Sequence, residues 1–248
     1  MNLTVLGSDG SWAGPGGACS GYLVRQGGFA LWLDAGNGTL ARLQEHIGIP
    51  EIGAVAITHD HPDHFVDLYT LLVAIHYGGV GRPGLPVFAP NGFFDELRSL
   101  MSDDTRRAMN ETFAAKEIGP GESLEAGPFG IKTFEMEHFG DALGYRVEAG
   151  GTVLAYTGDT GPSDQVVELG RNADLFVVEA SWQDDDELLP FHMSARQAGE
   201  HAQRAGASTL MLTHLTPNLD PAVSIAQAKE AFDGEILVAE ADSTVEIG

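Results

Sequence analysis

The chain has 248 residues and carries 36 acidic against 13 basic side chains, a formal charge of −23. A field of that sign repels polyanions and disfavours anionic membrane surfaces, which argues against long nucleic acid as a partner but leaves a small anion open wherever bound metal inverts the local charge. One cysteine, Cys19, allows no intramolecular disulfide and no thiolate zinc site, while 43% hydrophobic content with 32 glycines describes a globular chain of many tight turns.

At this length one domain spanning residues 1–248 can bury a substantial core. No apolar stretch approaches the roughly 18 residues of a membrane span. Met1-Asn2-Leu3-Thr4 enters a strand pattern directly, with no basic-then-apolar leader, so a cytoplasmic enzyme is the expectation.

Leu3 to Leu6 reads as the first strand. The glycine-rich loop after it (Gly7, Gly10, Gly14, Gly16, Gly17, Gly21) lacks the lysine and spacing of a P-loop and reads as a tight loop that brings backbone against a site. Tyr22 to Val24 and Phe29 to Leu33 form a hairpin around Gln26-Gly27-Gly28. Asp34 ends its second strand, where it can support a site without joining it. Thr39 to Ile47 is a short helix.

The chain is organised around Thr58-His59-Asp60-His61-Pro62-Asp63-His64. An apolar run, Ile52 to Ile57, precedes it as a buried strand. Leu68, Leu71, Leu72 and Ile75 follow at i, i+3, i+4 and i+7, which is a helix. In extended backbone, side chains two apart point the same way, so His59 and His61 can share one metal. Asp63 and His64 lie past the bend at Pro62 and face a neighbouring position. One corner thereby serves two adjacent metals.

Residues 78–92 are a loop leading into a short strand, Val87 to Ala89, and Phe93 to Met101 is a helix. Residues 102–116 read as polar, helical and mobile, a rim over the site. Glu122 to Ala126 and Phe129 to Met136 are strands, with His138 at the end of the second. Gly144 to Val147 and Thr152 to Tyr156 pair around Gly150-Gly151, and the second runs into Asp159, set between glycines. Val166 to Gly170 is helical, and Leu175 to Val178 is a strand ending in Glu179-Ala180-Ser181. The acidic run Asp184 to Glu187 reads as solvated. Ser194 caps a helix from Ala195 to Arg204 just after His192. Thr209 to Leu212 is a strand ending at His214, Pro221 to Phe232 the last helix, and Ile236 to Ala239 the last strand. Ligand-type residues sit at strand ends in both halves, as expected of two similar halves sharing one site.

The candidate ligands are His59, His61, Asp63, His64, His138, Asp159 and His214. Histidine and carboxylate without cysteine suit Zn, Mn or Fe. Two metals about 3.5–4 Å apart can share a hydroxide that forms near neutral pH, with a strand-end carboxylate such as Asp159 as the protein's bridge. Neither Ser20 nor Cys19 has an evident base partner.

His59-Asp60-His61-Pro62-Asp63-His64, followed in order by His138, Asp159 and His214, resembles the metallo-β-lactamase superfamily over nearly the whole chain. The resemblance implies an α/β fold, a four-layer αββα sandwich with a dinuclear site at one edge. It implies that His59, His61 and His138 hold the first metal, that Asp63, His64 and His214 hold the second, and that Asp159 bridges them. Asp34 matches the family's supporting aspartate. Thr157-Gly158-Asp159-Thr160, Val178-Glu179-Ala180 and His192-Met193-Ser194-Ala195 are similar to the ribonuclease Z-like phosphodiesterase branch. There the counterpart of His192 is the proton donor to the leaving oxygen and that of Glu179 orients it.

The tRNA-processing members of that branch insert a long arm between the third metal motif and the bridging aspartate. Here 20 residues separate His138 from Asp159. Gly161 to Leu169, Glu179 to Trp182 and Leu212-Thr213-His214 resemble actinobacterial proteins regarded as atypical class II cyclic-nucleotide phosphodiesterases. That resemblance implies hydrolysis of 3′,5′-cyclic AMP to 5′-AMP, with catalytic roles for Asp63, His192 and Glu179, two divalent ions (zinc first, manganese or iron also accommodated) and, as in many relatives, a homodimer. The alternatives are a ribonuclease Z-like RNA endonuclease, a lactonase or thioesterase using the same metals, and a non-catalytic protein on this fold.

Overall fold

The computed structural model describes residues 1–184 and 189–248. The first half runs β1 (Asn2–Gly7), β2 (Gly21–Gln26), β3 (Phe29–Leu33), α1 (Thr39–His46), β4 (Ile52–Ala56), α2 (Pro62–Phe65), α3 (Asp67–His76), β5 (Leu85–Ala89), α4 (Phe93–Ser99), α5 (Asp103–Thr112) and β6 (Phe113–Glu117). The second runs β7 (Ser123–Ala126), β8 (Phe129–Glu135), β9 (Leu143–Ala149), β10 (Thr152–Tyr156), α6 (Asp164–Leu169), β11 (Leu175–Glu179), α7 (Ala195–Ala205), β12 (Thr209–Thr213), α8 (Pro221–Lys229) and β13 (Glu235–Val238), followed by β14 (Thr244–Glu246).

Two seven-stranded sheets result, ordered β14-β1-β2-β3-β4-β5-β6 and β13-β12-β11-β10-β9-β8-β7. Each begins as an antiparallel meander and continues through parallel strands joined by helices. This is the paired-half organisation expected from the recurrence of strand-end ligands.

Side-chain alternation along the strands builds the layers. Leu23, Trp32 and Val55 face outward into a cluster with Leu43, Leu71, Leu72 and Phe94 of the first helical layer. Tyr22, Val24, Leu31 and Leu33 face inward and meet Tyr145, Val147, Tyr156 and Val177 of the other sheet. On the far side Ala155, Phe176, Val178 and Leu212 are covered by Val166, Ala198, Ala202 and Phe232. The order is helices, sheet, sheet, helices, the sandwich expected from the sequence. Helix α7 lies close on α8 because its buried face, apart from His201, is alanine and glycine. A Cβ at Gly199 would sit 2.7 Å from the Ala228 carbonyl oxygen. Ser194 caps α7, its Oγ accepting from Gln197 N–H.

Three expectations are corrected. Residues 102–116 are not one helical segment: α5 ends at Thr112, and Phe113–Glu117 is a strand paired in parallel with β5. Of that edge strand only Phe113 is buried, so no alternation marks it. Nor does the segment rim the site. It packs on α3, and Tyr77, just past that helix's C-terminal end, donates to Asp104. The chain also does not finish at the 236–239 strand: β14 returns to pair antiparallel with β1. Of the acidic run, Asp184 is paired with Arg196 at 2.6 Å, and residues 185–187 lie outside the described residues. Among the described residues no helix is long and apolar enough to cross a membrane.

Candidate active site

Asp34, Thr58, Asp159 and His214 follow the carboxyl ends of strands and Glu179 is the last residue of one, all on the side where open α/β sheets gather their ligands. His59 and His61 extend from the end of β4. Pro62 then starts α2, which turns Asp63 and His64 to the other side of the same space. Asp60, between the two histidines, is exposed and joins neither group. The glycine loop is a close-approach loop as expected. A Cβ at Gly10 would lie 2.4 Å from the carbonyl oxygen of His214, and Ser11 N–H donates to Asp63 Oδ2 at 3.0 Å.

The seven candidate ligands form two groups sharing one member: His59, His61, His138 and Asp159, and Asp63, His64, Asp159 and His214. In each group, one ligand atom per residue lies within 4.8 Å of all the others. Asp159 divides its oxygens between them. Its Oδ2 is 3.7 Å from His59 Nε2 and 3.9 Å from His138 Nε2, while its Oδ1 is 3.1 Å from His64 Nε2 and 3.3 Å from His214 Nε2. Asp63 Oδ2 completes the second group at 3.3 Å from His214 Nε2. The donor set fits divalent cations. His59 Nε2, His64 Nε2 and Asp159 Oδ1 are buried, converge on the same space and have no hydrogen-bond partner among the described residues, a cost that a cation there offsets.

The outer faces of the imidazoles explain why the inner nitrogens are bare. His64 Nδ1 bonds Asp34 Oδ2 at 2.7 Å, His59 Nδ1 bonds Thr58 Oγ1 at 3.0 Å, and His138 Nδ1 bonds the Phe191 carbonyl at 2.9 Å. His214 Nδ1 bonds Ser181 Oγ at 2.9 Å, and Ser181 Oγ donates to Glu179 Oε2 at 2.8 Å. With Nδ1 carrying the proton, Nε2 is left as a lone pair facing inward. His61 is turned the other way and presents Nδ1, 3.1 Å from His138 Nε2.

Asp34 is the deepest support. Besides His64 it accepts from Thr58 N–H, Thr58 Oγ1 and the Tyr156 hydroxyl at 2.7–2.9 Å, all fully buried. Its backbone is held at φ +56°, and that of His214 at +57°, left-handed values that a non-glycine residue adopts only under surrounding constraint. Replacing Asp34 with alanine orphans four buried donors at about 1–3 kcal/mol each. The expected loss is ~4 kcal/mol or more, roughly a 10 °C fall in Tm for a chain of this size, read by thermal denaturation of the metal-free protein.

Charge sets the protonation states. Burial alone would lower His64, but Asp159 and Asp34 outweigh it and hold its pKa well above the ordinary value. Metal binding at Nε2 therefore releases a proton. Burial and the neighbouring imidazoles push His59 well below its ordinary value. For Asp63, His64 and His214 override the effect of burial and keep the carboxyl far below the usual range. Burial, with Asp63 nearby, pushes the Cys19 thiol up to about 12, which removes it as a nucleophile.

A third constellation adjoins the second group. Glu179 is fully buried. Its Oε1 accepts from His192 Nδ1 at 2.7 Å and from Thr160 N–H at 2.8 Å, and its Oε2 from Ser181 Oγ. The His192 ring stacks on His214 at 5.7 Å, with centroids 5.1 Å from His138. The structure thus brings together every residue singled out from the sequence. The sequence reading missed the supports Thr58, Tyr156 and Ser181. Ser181 had a legible signal, since it lies two positions beyond Glu179 at a strand end and so shares its side.

The profile of the β-lactamase superfamily domain matches residues 31–215. The chain is 34% identical to the uncharacterized protein Rv1339 of Mycobacterium tuberculosis, over all of this chain and 92% of that one. It is 30% identical to the probable metallo-hydrolase YhfI of Bacillus subtilis, over 96% of this chain and 97% of that one. The crystal structure of YhfI superposes with a TM-score of 0.89 over 98% of each chain. Human tRNase Z, short form, shares the fold at a TM-score of 0.80 and 23% identity, over the full length of both chains. With its sandwich of two mixed sheets and its paired histidine–aspartate groups at one strand-end edge, the chain belongs to the β-lactamase superfamily, as a metallo-β-lactamase-fold hydrolase.

Proposed function

We propose that the protein is a two-metal phosphodiesterase acting on a small phosphodiester, with 3′,5′-cyclic AMP hydrolysed to 5′-AMP as the specific substrate reading. In it His59, His61, His138 and Asp159 hold one cation, and Asp63, His64, His214 and Asp159 the other, zinc being the first candidate and manganese or iron compatible with the same donors. When bound, two such cations neutralise phosphate charge and acidify water towards a pKa of about 7.

The observation that supports a phosphodiester over a carboxyl ester is His192 on buried Glu179, at 2.7 Å and beside both ligand groups. Expelling an alkoxide from phosphorus needs a proton donor, whereas a thioester releases a thiolate that leaves unprotonated. Burial would lower the His192 pKa. The Glu179 charge and hydrogen bond override it and raise the pKa from 6.5 to about 9. At neutral pH the ring is therefore an acid, with Nδ1–H fixed on Glu179 and Nε2–H free to protonate the 3′ oxygen as the P–O3′ bond breaks. Asp63 keeps 13% of its side chain open to solvent and orients the attacking water.

The pH dependence follows from the sign of that shift. A raised pKa means the acid form is present at low pH and lost as pH rises through the folded value. The metal-loaded enzyme should show an alkaline limb below about 9, because nearby cations disfavour imidazolium. Glu179→Gln, which removes the stabilising carboxylate, should move that limb to lower pH. A limb unmoved by the substitution contradicts the role given to the pair.

Two features argue for a small substrate. The span between His138 and Asp159 is filled by β9, β10 and their turns, and the chain's net charge is −23. The deciding assay is release of 5′-AMP from 3′,5′-cyclic AMP by Zn- or Mn-loaded protein, with Asp63→Ala as the blank. Release by wild type alone supports the reading. No release with metal bound removes cyclic AMP, and linear phosphodiesters, short RNA and lactones then become the substrates to assay.

A further inference from the structure

Two phenylalanines beside the cluster have no part in the chemistry above. Phe139 follows His138 directly, leaves 56% of its surface exposed and, among the described residues, belongs to none of the buried apolar clusters. Its ring centroid lies 4.4 Å from that of Phe191, with the planes tilted by 47°, and 6.5 Å from His61. Phe191 precedes His192, with ring centroids 5.4 Å apart, and is 6.2 Å from His138. Its position is fixed because its carbonyl accepts from His138 Nδ1. The pair spans the edge of the site from the first ligand group to the proton donor, with the outer ring open to solvent.

An aromatic ring held half in water at a site's edge gains from a second flat apolar surface. Resting on the phosphodiesterase reading, the geometry points to Phe139, backed by Phe191, as the stacking face for the nucleobase of a nucleotide phosphodiester. The phosphate lies at the histidine–aspartate cluster, and the base lies on the ring beside His61 and His138. Contact through a π face carries no charge, so it gives a chain of −23 hold on an anionic nucleotide without adding cations. Stacking tolerates any base, because each has a π face. Phe139 therefore distinguishes nucleotides from other phosphodiesters rather than one base from another.

The test compares 3′,5′-cyclic AMP with its base-less counterpart, methyl ribofuranoside 3′,5′-cyclic phosphate, on metal-loaded wild type, Phe139→Ala and Phe139→Trp. Leu100→Ala, at a 77% exposed position outside the site, is the control. Loss of one stacked base is worth about 5- to 150-fold in affinity. Phe139→Ala should raise KM for cyclic AMP within that range with kcat little changed, leave the base-less substrate untouched, and be rescued by tryptophan. Equal effects on both substrates, or none, overturn the proposal. Equilibrium binding of 5′-AMP and of ribose 5-phosphate gives a readout that does not depend on turnover. Wild type should prefer 5′-AMP and Phe139→Ala should lose the preference; equal binding by wild type overturns the stacking face. If neither cyclic substrate is hydrolysed while the binding preference and its loss are seen, the phosphodiesterase reading fails and the stacking face stands.

Discussion

His192→Ala should lower turnover of a phosphodiester by about 10²–10⁴-fold, the usual contribution of a positioned general acid, while leaving metal content and fold intact. Its side chain is in neither of the two ligand groups that share Asp159, so its removal takes no candidate ligand from either cation. The substitution does leave Glu179 with one acceptor position unfilled. That carboxylate still accepts from Thr160 N–H, Ser181 Oγ and Ser181 N–H, which hold it in place. The discriminating observation is the leaving group. A substrate with a good leaving group such as 4-nitrophenolate needs little protonation and should lose much less activity than an alkyl diester. If both fall equally, His192 acts by positioning substrate and not by giving up a proton.

Asp159→Asn is expected to be more damaging than loss of any single histidine. One carboxylate faces both groups, Oδ2 towards His59 and His138 and Oδ1 towards His64 and His214. His64 and His214, together with His59, hold it far below its ordinary pKa against the cost of burial, so its charge is fixed in place before any cation arrives. The amide keeps the shape but removes the charge and places donor hydrogens against imidazole nitrogens that are meant to be bare. Metal content should fall from two ions per chain to one or fewer, and activity to the level of the metal-free protein. His61→Ala, which touches only the first group, should by contrast leave the second group's ion in place. Equal retention of two ions by Asp159→Asn would show that the carboxylate does not join the groups.

The sequence made the centre of the site legible because its signals are local. His59 and His61 are two apart at a strand end, and Pro62 breaks the strand before Asp63 and His64, so period and bend together give two facing groups. His138, Asp159, Glu179 and His214 each close an apolar run. What escaped depends on approach between distant segments. Nothing near Thr58 or Tyr156 announces that both bond Asp34, and the Phe139–Phe191 contact joins residues 52 positions apart. In the fold, β6 and β14 escaped for a different reason. Each lies at a sheet edge with its residues largely open to water, so neither carries the buried apolar run that identified β1 and β3 or the alternation of β8.

The central claim is that the two histidine–aspartate groups form one dinuclear metal centre. Metal analysis of the wild-type protein after loading with zinc or manganese and removal of free ion tests it most directly. Two ions per chain, reduced in Asp159→Asn, is the predicted result. A content near zero, with no change in Tm on adding either metal, would contradict it and leave a superfamily fold with a cluster that does not bind cations.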